Sequence, residues 1–145
     1  MSKIIRTRHF GIVVKDMKRS IEFYQNVLGF QIKKEANETG EYLDKMLDLK
    51  NVQVKTVKMS INEDETLIEL LEYSSPTSMN CEKRVFDFGV SHFALTVENL
   101  DELIINLKKN HVKLNSEPVI SPDKKAKVAF CFDPDGSPIE LVEEL

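Results

Sequence analysis

Two histidines and two glutamates stand out because each occurs at the same place in a repeated pattern. His9 lies in RHFGIVVKDMKRSIEFYQNVL and His92 in SHFALTVENLDELIINLKKNH, 83 residues later. Phe10/Phe93, Val14/Val97 and Ile21/Ile104 recur in the same register. A second echo closes each half, IELLE at 68–72 and IELVE at 139–143, and it places Glu69 and Glu140 an equal 71 residues apart. Two neutral imidazoles and two carboxylates form a mixed N/O donor set. It suits Zn, Ni or Co, accommodates Fe or Mn, and is ill matched to Cu(I) or Ca. Four protein ligands leave a position open for water or a substrate oxygen. A metal held that way acts as a Lewis acid, and a carboxylate beside the open position exchanges protons with the substrate. A lone His on a strand is more often structural, and a lone strand Glu is more often solvated. Recurrence of one His and one Glu at equivalent places in both copies overturns that weighting, because duplicated core positions call for apolar residues.

The elements that must carry these residues are legible from pattern. Arg8–Val14 reads as a strand, Asp16 as a helix cap, and Met17–Leu28 as a helix with its apolar stripe at 17, 21, 24 and 28. Gly29 ends it and Phe30–Lys34 is extended again. The two offsets differ by a dozen residues, which the first copy must hold within 36–55; residues 41–49 there suit a short helix. Val52–Ile61 and Thr66–Glu72 read as a hairpin around Asn62–Glu65. The second copy repeats the order: a strand over Val90–Val97, then a helix over 100–110 capped by Asn99 and Glu102, its stripe at 100, 104 and 107. A short strand over 112–116, another at Lys127–Phe132, a turn at 133–136 and a last strand near 138–143 complete it. Two modules, 1–74 and 90–145, are thus joined by a linker over 75–89.

Strand alternation sets the faces. His9 shares its side with Gly11 and Val13, and His92 with Ala94 and Thr96. Phe10, Ile12 and Val14, like Phe93, Leu95 and Val97, take the opposite side under the helices. Glu69 and Glu140 likewise oppose Ile68 and Leu70, and Ile139 and Leu141. The pattern predicts a concave His/Glu face lined by small residues.

Bulk composition narrows the function. With 41% hydrophobic and 30% charged residues and a net charge of −4, the 145-residue chain reads as a soluble globular protein, without the basic footprint of a nucleic-acid binder. No apolar run is long enough to span a membrane, and the first residues lack a signal-peptide core, so a cytoplasmic location is expected. Cys81 and Cys131 are too few for a disulfide framework and read as ordinary residues. His111 at a helix end, Tyr24 in the helix stripe, and the charge run Lys124, Lys125 and Lys127 take structural or solvated readings.

HFGIVVKDMKRSIEFYQNVLGF, TLIELLEYSSP, GVSHFALTVENLDEL and FCFDPDGSPIELVEEL together resemble the vicinal oxygen chelate superfamily, the glyoxalase I / bleomycin resistance / extradiol dioxygenase fold. The resemblance spans nearly the whole chain. It implies an α+β fold of two βαβββ modules forming an incomplete mixed β-barrel with helices outside, and a homodimer. It places His9, Glu69, His92 and Glu140 on metal-ligand positions, with Glu140 as catalytic base and Glu69 as ligand and partner in proton transfer. A fourth ligand at Glu69 is similar to glyoxalase I and methylmalonyl-CoA epimerase rather than to the three-ligand dioxygenases. The implied activity is proton transfer next to a metal-bound carbonyl of a small α-oxo compound or its thiol adduct. The arginine by which glyoxalases hold glutathione has no counterpart in GFQIKKEANETG, and the epimerases' second carboxylate falls near Asp44 or Asp48. A ligand-sequestering relative without catalysis and an Fe(II) dioxygenase are the competing readings.

Overall fold

The computed structural model describes residues 4–5, 7–62, 67–77 and 89–145. The chain divides into two compact units, Met1–Met79 and Asn80–Leu145. The first contains β1 (His9–Val13), α1 (Met17–Glu22), β2 (Gln31–Thr39), α2 (Glu41–Leu47), β3 (Gln53–Ser60) and β4 (Leu67–Ser75). The second contains β5 (Phe93–Thr96), α3 (Leu100–Lys109), β6 (Val119–Ile120), β7 (Ala126–Phe132) and β8 (Pro138–Glu144). Each builds one open four-stranded mixed sheet. The orders are β1-β4-β3-β2 and β5-β8-β7-β6, with the first pair parallel and the others antiparallel. The fold is α+β, and the strand–helix–three-strand plan occurs twice.

In the first unit Asp16 caps α1 by accepting from the Arg19 amide at 2.9 Å. After Glu22 the chain widens into a π-helical turn over Phe23–Val27, closed by Leu28 N–H donating to the Phe23 carbonyl at 3.2 Å. The expected uniform helix to Leu28 is therefore interrupted. The wider turn lets two consecutive rings, Phe23 and Tyr24, both enter the core, where Tyr24 meets Phe23 and Phe30 edge-on. Val14, Met17, Val57, Met59, Ile68 and Leu70 complete that core. The second unit buries the expected α3 stripe, Leu100, Ile104 and Leu107, together with Ala129, Cys131, Ile139 and Leu141.

Three expectations need correction. Residues 112–116 make only a bridge between Leu114 and Cys131, with flanking backbone hydrogen bonds to β7, and the extra strand is instead Val119–Ile120. His111 takes a left-handed conformation at the end of α3, and the chain leaves it too irregularly to form a ladder. Phe10 is 45% exposed rather than packed, because β1 is an edge strand. Finally, α2 lies on the face that was expected to be open. Its Leu43 packs with Val52 and Val54 against Leu71 and Tyr73, which alternation places on the side of Glu69. The dozen additional residues of the first copy thus cover part of that face. The turn at Asn62–Glu65, the linker over 75–89 and Cys81 fall wholly or mostly outside the described residues.

Candidate metal centre

In each unit the parallel strand pair brings one His to one Glu. Gly11 pairs with Glu69 across β1–β4, so His9, two residues earlier on the same side, reaches diagonally to the carboxylate. His9 Nε2 lies 3.0 Å from Glu69 Oε2. In the second unit Ala94 pairs with Glu140, and His92 Nε2 lies 3.2 Å from Glu140 Oε2. Small residues at the two paired positions keep the diagonal clear. At Gly11 even an added Cβ would stand 3.2 Å from the Leu71 side chain.

These separations fit an ion as well as a hydrogen bond. Two donors each about 2.1 Å from one metal, about 90° apart, stand about 3.0 Å from each other. All four side chains are partly shielded, Glu69 most of all at 12% exposure. Among the described residues no three His, Cys, Asp or Glu side chains gather: His9 meets Glu69 in one unit and His92 meets Glu140 in the other.

The two pairs have different surroundings. Ser91 Oγ lies 2.7 Å from His92 Nδ1, fixing the ring with Nε2 towards Glu140, and Phe130 meets the imidazole edge-on at 5.2 Å. His9 Nδ1 is buried without a hydrogen-bond partner. Glu69 also meets a cationic group: Lys58 Nζ lies 3.2 Å from its Oε1. Sequence reading missed Lys58, although it is the β3 residue directly across the ladder from Glu69.

Several other carboxylates are accounted for structurally. Asp44 accepts the amides of Asn51 and Val52 at 2.9 and 2.8 Å, which closes the loop behind α2. Asp48 caps that helix in a left-handed conformation. Glu72 accepts the Met17 amide at 2.9 Å, and Glu143 accepts those of Asn99 and Leu100 at 3.0 and 3.3 Å. Each closing motif therefore carries two glutamates on opposite faces, the first beside a histidine and the other under a helix N-terminus. Asn99 also accepts the Glu102 amide, as the expected cap requires. Lys127 is tied to Asp101 of α3 at 2.5 Å. Cys131 is buried, and desolvation followed by the nearby Asp133 charge pushes its thiol up to about 12. A polar groove lined by Asn37, Glu38, Thr39, Gln53 and Lys55 contains none of the four candidate ligands.

Known proteins match nearly the whole length of the chain. The family model described as Glyoxalase/Bleomycin resistance protein/Dioxygenase superfamily matches residues 6–141. Lactoylglutathione lyase of Salmonella typhimurium is 30% identical over 141 residues, covering 96% of this chain and 93% of the enzyme. YwkD of Bacillus subtilis, an uncharacterized protein, is 32% identical over 139 residues, 94% of each chain. The crystal structure of a glyoxalase family protein from Bacillus cereus superposes with a TM-score of 0.90 at 25% identity, over 99% of this chain and 97% of that one. Among the described residues no helix is long and apolar enough to cross a membrane.

Proposed function

Because the chain belongs to the Glyoxalase/Bleomycin resistance protein/Dioxygenase superfamily, we propose that it is a metal-dependent isomerase or lyase of glyoxalase type, moving a proton next to the carbonyl of a small α-oxo compound or its thiol adduct. His9, Glu69, His92 and Glu140 are the ligands in this reading, for Zn, Ni or Co, with Fe or Mn also suited. The observation that carries it is the repetition of one contact, His Nε2 to Glu Oε2 at 3.0 and 3.2 Å, at the same ladder position in both units. A bound divalent ion supplies Lewis-acid polarisation of the substrate carbonyl.

The chain's own groups divide the remaining work. Glu69 is engaged on both oxygens, by His9 and Lys58, and serves as a fixed ligand. Glu140 meets only His92 among the described residues, which leaves Oε1 to accept the substrate proton and return it to the neighbouring atom. The same reading extends to a homodimer in the cytoplasm, by resemblance to the family; light scattering measures the first.

Elemental analysis before and after chelation, at known protomer concentration, is the test. About one divalent transition metal per chain is expected, lowered in both His9→Ala and His92→Ala, with isomerase turnover on glutathione or CoA adducts lost on chelation. No metal and no uptake of Ni, Co or Zn would replace this reading with a ligand-sequestering protein. Oxygen consumption with a catechol would replace it with a dioxygenase.

A further inference from the structure

Gly11, Glu69, Lys58 and Lys34 occupy one row across all four strands of the first sheet, each paired with the next. The row lies on the His9 side. Lys58 gives one contact to Glu69 Oε1 at 3.2 Å and is about three-quarters buried. An ammonium has three N–H donors, so two remain for another acceptor on that face. Lys34, next in the row, has no ion-pair partner among the described residues. Glu38, on the same strand face, accepts from Thr56 Oγ1 at 3.2 Å. In the second unit the residue across from Glu140 is Phe130, an aromatic edge on His92. The first pair thus has a cationic flank and the second an apolar one.

Neutralising Glu69 takes one positive charge, and the row supplies two. With a divalent ion on the four proposed ligands, the two carboxylates are already balanced, and Lys58 leaves the site with a net charge of about +1. Such a site attracts an anion beside the ion. Resting on the metal-dependent reading above, we propose that Lys58, backed by Lys34, makes the His9/Glu69 side a receptor for an oxyanion. The substrate then carries a carboxylate or comparable anionic oxygen next to the carbonyl that reacts. Lys58 is then a specificity-determining residue.

Calorimetric titration of the zinc-loaded protein with oxalate, a dianion with vicinal oxygens, and with its neutral analogue oxamide tests this. Oxalate is expected to bind Lys58→Met about tenfold or more weakly than wild type, with Lys58→Arg recovering most of the loss. Oxamide affinity stays the same in all three. Zinc affinity, measured by chelator competition, is unchanged or tighter in Lys58→Met, because an ammonium no longer competes for Glu69. A Lys58→Met protein that binds zinc normally and oxalate as tightly as wild type overturns the proposal while leaving the metal reading intact. Weakened binding of glutathione alone, with oxalate unaffected, also overturns it, by assigning the lysine to a remote carboxylate. Absence of zinc binding by wild type sinks the metal reading, and this proposal with it.

Discussion

Glu140 and Glu69 carry the same side chain at equivalent positions, yet their neighbours differ, and the proposed function divides their work accordingly. A carboxylate held by an imidazole and an ammonium has no oxygen left for the substrate, whereas one held by an imidazole alone does. Glu140→Gln is therefore expected to lower kcat by about 10²-fold or more while leaving zinc content measurable, since general acid–base contributions are of that order. Comparable turnover in Glu140→Gln and wild type would move the base elsewhere. The two His/Glu pairs were readable from the sequence as candidates, because two copies of one pattern expose any polar position that both retain. Their unequal surroundings were not readable, since Lys58 and Phe130 reach the pairs only through strand pairing. Cys131 illustrates environment overriding type in another way. Its thiol is raised to about 12, so it stays protonated in the folded chain while the unfolded thiol ionises near its ordinary value of 9.0. The unfolded state then binds fewer protons above that value. Stability from this group is complete at lower pH and is lost as pH climbs from about 9 towards 12. Urea midpoints of Cys131→Ala and wild type should accordingly converge over that window, and a constant gap would contradict the burial.

At the scale of elements, the second glutamate of each closing motif connects strand to helix. Glu72 and Glu143 sit 71 apart, like Glu69 and Glu140, but three positions further along, an odd step that turns them to the helix side. There each carboxylate meets the unpaired amides at a helix N-terminus, where both hydrogen bonding and the helix dipole favour negative charge. Replacing Glu143 by Gln keeps one acceptor and removes the charge. It should cost about 1 kcal/mol of unfolding free energy with little effect on metal content, a combination that separates it from Glu140→Gln. Equal metal loss in both variants would refute the division of labour. The sequence echo contained this pair as plainly as the site pair; only the face assignment distinguishes them. Periodicity located α1 and α3 well, and it placed α2 within the inserted segment. It could not say which side of the sheet α2 covers, because Leu43 and Val52 find Leu71 and Tyr73 only in three dimensions. The strand expected at 112–116 failed for a related reason. A β-like composition there is countered by the left-handed turn at His111, and the ladder resumes only at Val119.

At the scale of the molecule, duplication appears in the two sheets as identical strand order, identical parallel and antiparallel pairing, and identical placement of His, Glu and capping Glu. The repeat was legible because sequence offsets survive where local propensities blur. Each unit has its own helix-covered core, and neither supplies more than one His/Glu pair to the proposed centre. A metal that draws on both pairs must then stabilise both units at once, because ligand binding to the folded state adds free energy only when every donor is in place. At a free metal concentration about 100-fold above Kd the gain is about 2.7 kcal/mol. In a chain of this length that corresponds to a rise in Tm of about 5–10 °C. Scanning calorimetry with zinc and with a chelator measures it. His9→Ala and His92→Ala, altered in different units, should each lose most of the shift. If only one of them did, the ion would be held by a single unit, and the four-ligand centre would have to be abandoned in favour of a two-residue site completed by solvent or substrate.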